Sequence, residues 1–167
     1  AAALRAAVVH DARVVLASST AVYGEASTLP TPESESITPS SPYGIDKATI
    51  DRYARVYHEL YGLETVALRY FNIYGPRQVA GDYSGVISIF LEQALNDEPI
   101  TVHGDGSQTR DFVHVDDVVQ ANLKAATTEH VGEAYNVGTG TEVSIRELAE
   151  TIREVTGSSS EIVFTEG

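Results

Sequence analysis

Apolar residues recur along this chain in two rhythms, and their alternation sets the expected fold. Short runs at Arg13 to Ser18, Glu64 to Arg69, Ile100 to Val102, Glu133 to Val137 and Glu161 to Phe164 read as strands, the first of them, apolar and rich in β-branched residues, as a buried parallel one. Between them fall stripes at helical spacing. Ile50, Tyr53, Ala54, Tyr57, Leu60 and Tyr61 follow Pro42, and Val86, Ile87, Phe90, Leu91, Ala94 and Leu95 follow a capping Ser84. Val115 to Ala126 makes a third helix, with Asp116 or Asp117 near its positive end. Ile145, Leu148, Ala149, Ile152 and Val155 make a fourth, opened by the capping box Ser144-Ile145-Arg146-Glu147. Gly62 and Gly157 are the stops. Ala1 to Val9 reads as the tail of a further helix, and Ser27 to Pro42, without periodicity, as a surface loop over a site. Strands alternating with helices predict an α/β fold with a parallel sheet.

The densest chemistry lies in Ser41-Pro42-Tyr43-Gly44-Ile45-Asp46-Lys47. Pro42 suits a first helical turn and Ser41 an N-cap. Tyr43 and Lys47, four apart, then share one face of the helix. An ammonium beside a phenol favours the phenolate and lowers the tyrosine pKa from about 10, making a proton acceptor usable near neutral pH. The bland alternative is a chance pairing, and only the neighbouring motifs weigh against it. Ser18, Ser19 and Thr20 end the first strand, and Tyr70, Phe71 and Asn72 the second. Open α/β sheets bind ligands at such C-terminal strand ends.

Charge narrows the partners. Among 167 residues 24 acids face 11 bases, a net charge of −13, so nucleic acid and anionic membranes are excluded as expected partners. An acidic surface with only two lysines suits high salt, and a halophilic source predicts a melting temperature that rises with salt. The chain has no Cys, which fits a reducing, cytoplasmic setting without disulfides or thiolate chemistry. No apolar run reaches membrane-spanning length, and no His/acid spacing suggests a metal. There is no Met and no glycine-rich dinucleotide fingerprint, so the chain reads as an internal fragment.

Four stretches, taken in order, carry a resemblance. They are Ser18-Ser19-Thr20-Ala21-Val22-Tyr23-Gly24, Ser41-Pro42-Tyr43-x-x-x-Lys47, Leu68-Arg69-Tyr70-Phe71-Asn72-x-Tyr74-Gly75-Pro76-Arg77, and Gly104-Asp105-Gly106-x-Gln108-Thr109-Arg110-Asp111-Phe112-Val113-His114-Val115-Asp116-Asp117. Together they resemble the extended short-chain dehydrogenase/reductase family, and within it the NAD-dependent nucleotide-sugar epimerases of the UDP-glucose 4-epimerase type. The resemblance covers essentially the whole chain. It implies part of a doubly wound, Rossmann-like parallel sheet over residues 1–76, and a smaller α/β substrate-binding region over 77–167 with elements returning to the sheet. The Gly-rich half that grips NAD is expected upstream of Ala1, leaving the fragment alone weakly active or inactive. A homodimer through the Tyr43 helix and the helix of Val86 to Leu95 is also implied.

The same resemblance implies roles. Tyr43 would take the sugar hydroxyl proton, Lys47 would hold the nicotinamide ribose, and Ser19 would hydrogen-bond the reacting oxygen. Ser18, Tyr70 and Phe71 would lie near the cofactor. Asn72 and Arg110 would contact the diphosphate, Arg110 bidentately. Thr101, Val102 and His103 would line the uracil pocket, His103 departing from the usual aromatic. Each has a plainer alternative: Ser19 satisfying a strand-end backbone group, Tyr70 and Phe71 as core aromatics, Arg110 in a surface ion pair. Thr20-Ala21 stands where related dehydratases carry Asp-Glu and decarboxylases tend to carry Glu. Small uncharged residues there favour oxidation and re-reduction at C4 over elimination. The alternatives are another nucleotide-sugar enzyme, a reductase or dehydratase, or a non-catalytic binding module.

Overall fold

The computed structural model describes residues 1–78 and 85–166. In chain order the elements are α1 (Ala2–Val9), β1 (Val14–Ser19), a 3-10 turn (Thr20–Tyr23), α2 (Pro42–Tyr61), β2 (Thr65–Tyr70), β3 (Asn72–Tyr74) and α3 (Val86–Leu95). Then follow β4 (Ile100–His103), β5 (Thr109–Arg110), β6 (Phe112–His114), α4 (Val115–Ala125), β7 (Glu133–Val137), β8 (Val143–Ser144), α5 (Ile145–Thr156) and β9 (Ile162–Thr165). They form two units, Ala1–Phe71 with Asp116–Gly138, and Asn72–Val115 with Thr139–Gly167. The expected boundary after Pro76 moves back to Phe71, because Asn72 to Tyr74 pair with Phe112 to His114 in the second unit.

In the first unit β2 lies between β1 and β7, all parallel, with Val14 opposite Thr65 and Tyr70 opposite Val137. A central parallel strand is covered on both faces, and β2 is buried from Thr65 to Arg69. Helix α2 starts where Ser41 Oγ accepts the Gly44 N–H at 3.0 Å, with Pro42 in its first turn. It stops at Gly62, whose φ of 66° is left-handed. Its stripe is only half covered. Ala54 is buried and Tyr57 packs on Leu4, Ala7 and Leu63, but Tyr53, Leu60 and Tyr61 stay 43%, 68% and 59% exposed. Tyr53, Tyr57 and Tyr61 instead form a surface ladder, with successive ring centroids 6.3 and 5.1 Å apart. Elsewhere in this unit, Ala121 and Ala125 of α4 pack on Val66 and Leu68.

The second unit is built on the parallel pair β4 and β9, with α3 and α5 supplying Phe90, Ala94, Leu148, Ala149 and Ile152 to a core around Ile100 and Val102. Val155, expected in that core, is 80% exposed because the last turn of α5 runs past it. Helix α3 is capped by Gly85 without a side-chain bond, and Ser84 lies outside the described residues. The capping box at Ser144 forms in full, with Glu147 bonded to the Ser144 backbone and hydroxyl. The Ser144 backbone bond, then its hydroxyl, holds the Glu147 carboxyl below its ordinary pKa. A depressed folded pKa means this stability is complete above the ordinary value and lost as pH falls through the folded one. The melting-temperature gap between the native chain and Glu147→Gln is therefore expected to narrow as pH falls below the ordinary glutamate pKa.

Candidate active site

Two of the expected groups, Lys47 and Tyr43, stand on a helix that packs against the C-terminal end of β1, where Ser19 lies. Lys47 Nζ donates to the Ala17 carbonyl at 2.8 Å, two residues before Ser19. Gly44 sets α2 against the 3-10 turn: a Cβ there would lie 2.6 Å from the Ala21 carbonyl oxygen, two residues after Ser19. The helix that carries Tyr43 is thereby packed against the turn that Ser19 begins. Lys47 Nζ sits 5.5 Å from the centre of the Tyr43 ring, and the phenol is 57% exposed. Ser19 Oγ accepts the Ala21 N–H at 3.2 Å, the strand-end bond expected of a structural serine. A hydroxyl used as an acceptor keeps its own proton to donate. The ammonium has three donors and gives one to Ala17, so the pair fits a ribose and a reacting alcohol.

Other expected contacts sit differently. Ser18 is 2% exposed, and its hydroxyl has no partner among the described residues, so it offers no side-chain contact to a cofactor. Alternation along β1 turns it away from the face Ser19 uses. Tyr70 packs on Val66, Leu68 and Ala125, and its hydroxyl donates to Asn122 Oδ1 at 3.0 Å, the behaviour of a core aromatic. Phe71 is half-buried, its N–H bonded to the Val137 carbonyl. In the second unit Val102 is 0% exposed inside the core, so its side chain cannot line a pocket. Thr101 gives its N–H to Gln93 Oε1, and the exposed His103 ring bonds Thr165 Oγ1 at 3.0 Å. Asn72 Nδ2 donates to the Asp111 carbonyl, while Arg110 is exposed and gives one donor to the Thr109 carbonyl. Thr20 Oγ1 reaches the Tyr70 carbonyl at 3.3 Å, leaving no ionisable group where Thr20 and Ala21 stand.

The sequence reading passed over a buried polar group at the same sheet. Arg69 Nε donates to Asp51 Oδ2 at 2.6 Å, and Nη1 donates to the Tyr23 hydroxyl at 2.8 Å and the Glu33 carbonyl at 3.2 Å. The Tyr23 hydroxyl in turn donates a hydrogen bond to Asn136 Oδ1 at 2.7 Å. Burial works against the Arg69 charge, but the bonds to Asp51 and Tyr23 outweigh it and hold the pKa above the ordinary arginine value. The signal available was a charged residue in an otherwise apolar central strand. Thr31, Glu33 and Thr38 fasten the long loop here, through Asn136, Arg69 and the Tyr23 carbonyl.

The profile of the NAD dependent epimerase/dehydratase family matches residues 1–138. A putative UDP-glucose 4-epimerase of Methanocaldococcus jannaschii is 44% identical over 153 residues, covering 91% of this chain and 50% of the relative. A UDP-N-acetyl-alpha-D-glucosaminuronate decarboxylase of Bacillus cytotoxicus is 38% identical, covering 96% of this chain and 51% of the relative. The solved UDP-N-acetylglucosamine 4-epimerase of Methanobrevibacter ruminantium M1, in complex with UDP-N-acetylmuramic acid, superposes with a TM-score of 0.93 at 38% identity over 97% of this chain and 53% of that one. The chain thus spans about half the length of the relatives it matches. With an α/β fold, parallel strands and relatives of this identity, the chain belongs to the NAD-dependent epimerase/dehydratase family.

Proposed function

We propose that the polypeptide carrying this chain epimerises a nucleotide sugar at C4, of the UDP-glucose/UDP-galactose type, by oxidation and re-reduction. The observation that supports this reading is the packing of the helix that carries Tyr43 and Lys47 against the strand end and turn that carry Ser19, with the uncharged Thr20 and Ala21 next in the chain. Bound NAD supplies the hydride acceptor and donor. Tyr43 takes the C4 hydroxyl proton and later returns it. Lys47 stabilises the phenolate charge and holds the ribose, and Ser19 keeps its proton while donating a hydrogen bond to the C4 oxygen. Elimination of water would call for a further acid or base beside the sugar, and Thr20 and Ala21 supply none.

The remaining parts of the reading follow the resemblance. Arg110 and Asn72 contact the diphosphate and His103 the base, with Thr101 beside it. The tyrosine ladder on α2 and the exposed Ile89 and Leu95 on α3 supply apolar surface for a homodimer. The acidic surface suits a salt-rich cytoplasm. The chain by itself binds NAD weakly and turns over slowly or not at all. The test is product identity, with the full-length polypeptide given UDP-glucose, UDP-glucuronate and UDP-N-acetylglucosamine in turn. The C4 epimer of at least one, with no other product, is expected. A 4-keto-6-deoxy sugar or released carbon dioxide would replace this reading with a dehydratase or decarboxylase.

A further inference from the structure

We propose that Arg69 is a positioning residue whose buried guanidinium sets the spacing between the helix that carries Tyr43 and Lys47 and the turn that begins at Ser19. The inference rests on the epimerase reading above and adds a residue to it. Tyr43, Lys47 and Asp51 stand at i, i+4 and i+8 on one face of α2, so Asp51 lies roughly 12 Å along the axis from the phenol. Tyr23 closes the turn that starts immediately after Ser19. Arg69 grips both, through Nε to Asp51 at 2.6 Å and through Nη1 to the Tyr23 hydroxyl at 2.8 Å, with its guanidinium carbon 5.0 Å from the centre of the Tyr23 ring.

The guanidinium is planar and its donors are fixed in direction, so the two bonds it makes are locked to one angle. Asp51 and Arg69 side chains are each only 9% exposed, which removes the screening that makes surface pairs weak. Arg69 belongs to the central strand β2, in register with Ser18 of β1 on one side and Asn136 of β7 on the other. Tyr23 carries the link on to Asn136 at 2.7 Å, so the turn is referenced to the same two strands as the helix. A slide or roll of α2 would carry Tyr43 relative to Ser19 and would have to break the Arg69–Asp51 bond. Gly44 and the Thr65 hydroxyl, 2.9 Å from the Ala54 carbonyl, fix how close the helix lies; Arg69 fixes where along the sheet it lies. Groups that must share one substrate oxygen lose rate steeply when displaced by a fraction of an ångström to 1 Å.

The test uses the full-length polypeptide with the double substitution Arg69→Met/Asp51→Leu, which removes the pair without leaving a buried charge behind. A cooperative melt, a KM for the sugar nucleotide within about twofold of the native value, and a kcat lowered about 10- to 100-fold are expected. Arg69→Lys retains a charge for Asp51 but not the fork that also reaches Tyr23, and an intermediate kcat is expected. A folded double variant with native kcat overturns the proposal. If the double variant does not melt cooperatively, Arg69→Lys decides: native kcat in it overturns the proposal equally. Tyr43→Phe measured in parallel separates the two readings. Full turnover in Tyr43→Phe sinks the epimerase mechanism, whereas an inactive Tyr43→Phe beside a fully active double variant sinks the Arg69 role alone.

Discussion

Replacing Tyr43 by Phe in the full-length polypeptide is expected to lower turnover about 1,000-fold while leaving the fold as it is. The phenol is 57% exposed, and an exposed substitution of this kind changes stability by no more than about 0.5 kcal/mol. The substitution keeps the ring and removes only the hydroxyl, so KM should hold. On the proposed function, what disappears is the proton acceptor for the sugar hydroxyl, and general-base contributions run at about 100- to 10,000-fold. The neighbouring ammonium is anchored independently, through the Ala17 carbonyl at 2.8 Å, so the deletion does not release Lys47. Steady-state turnover with a UDP-hexose, set beside a thermal melt, reads both halves. Native turnover would remove Tyr43 from the chemistry.

Gly44→Ala should damage stability and turnover together, the reverse of the Tyr43 pattern. Alanine normally favours a helix over glycine by about 0.5–1 kcal/mol. Here the added methyl would lie 2.6 Å from the Ala21 carbonyl oxygen and 3.1 Å from Pro39 Cβ. Neither is the flexible end of a long side chain, so helix or turn must give way, at an overpacking cost of about 1–3 kcal/mol. The clash wins. Any separation of α2 from the turn also separates Tyr43 from Ser19, and a loss of up to about 100-fold in kcat is expected. An unchanged melt with unchanged kcat would mean that the close approach of helix and turn is not what aligns the two groups.

Helix α2 was legible almost to the residue, because Ser41, Pro42 and Gly62 act through local backbone chemistry that no tertiary contact has to complete. The box at Ser144 was legible for the same reason. Strands β1, β2 and β7 showed as short runs between helical stripes and turn residues, and their parallel pairing followed from the helices between them. The two-residue strands β5 and β8 and the three-residue β3 and β6 are too short to show a period, and only pairing with distant partners makes them strands. The motif placed Tyr43 and Lys47 on one helix face, and the structure sets that helix against the turn that Ser19 begins. The motif reading failed where direction mattered. Successive strand residues face opposite ways, so Ser18 could not share the exposed face of Ser19. Val102 lies between two helices and a partner strand, a burial that no local pattern announces. The Arg69 network was missed because Asp51, Tyr23, Glu33 and Asn136 are spread over more than a hundred residues and meet only in the fold.

The central claim is that one C4 hydrogen leaves the sugar and comes back to its other face without meeting solvent. UDP-galactose carrying deuterium at C4, incubated in ordinary water with the full-length polypeptide, tests it directly. The account predicts UDP-glucose that keeps the deuterium at C4. Solvent hydrogen at that carbon, with the label released to water, would contradict it.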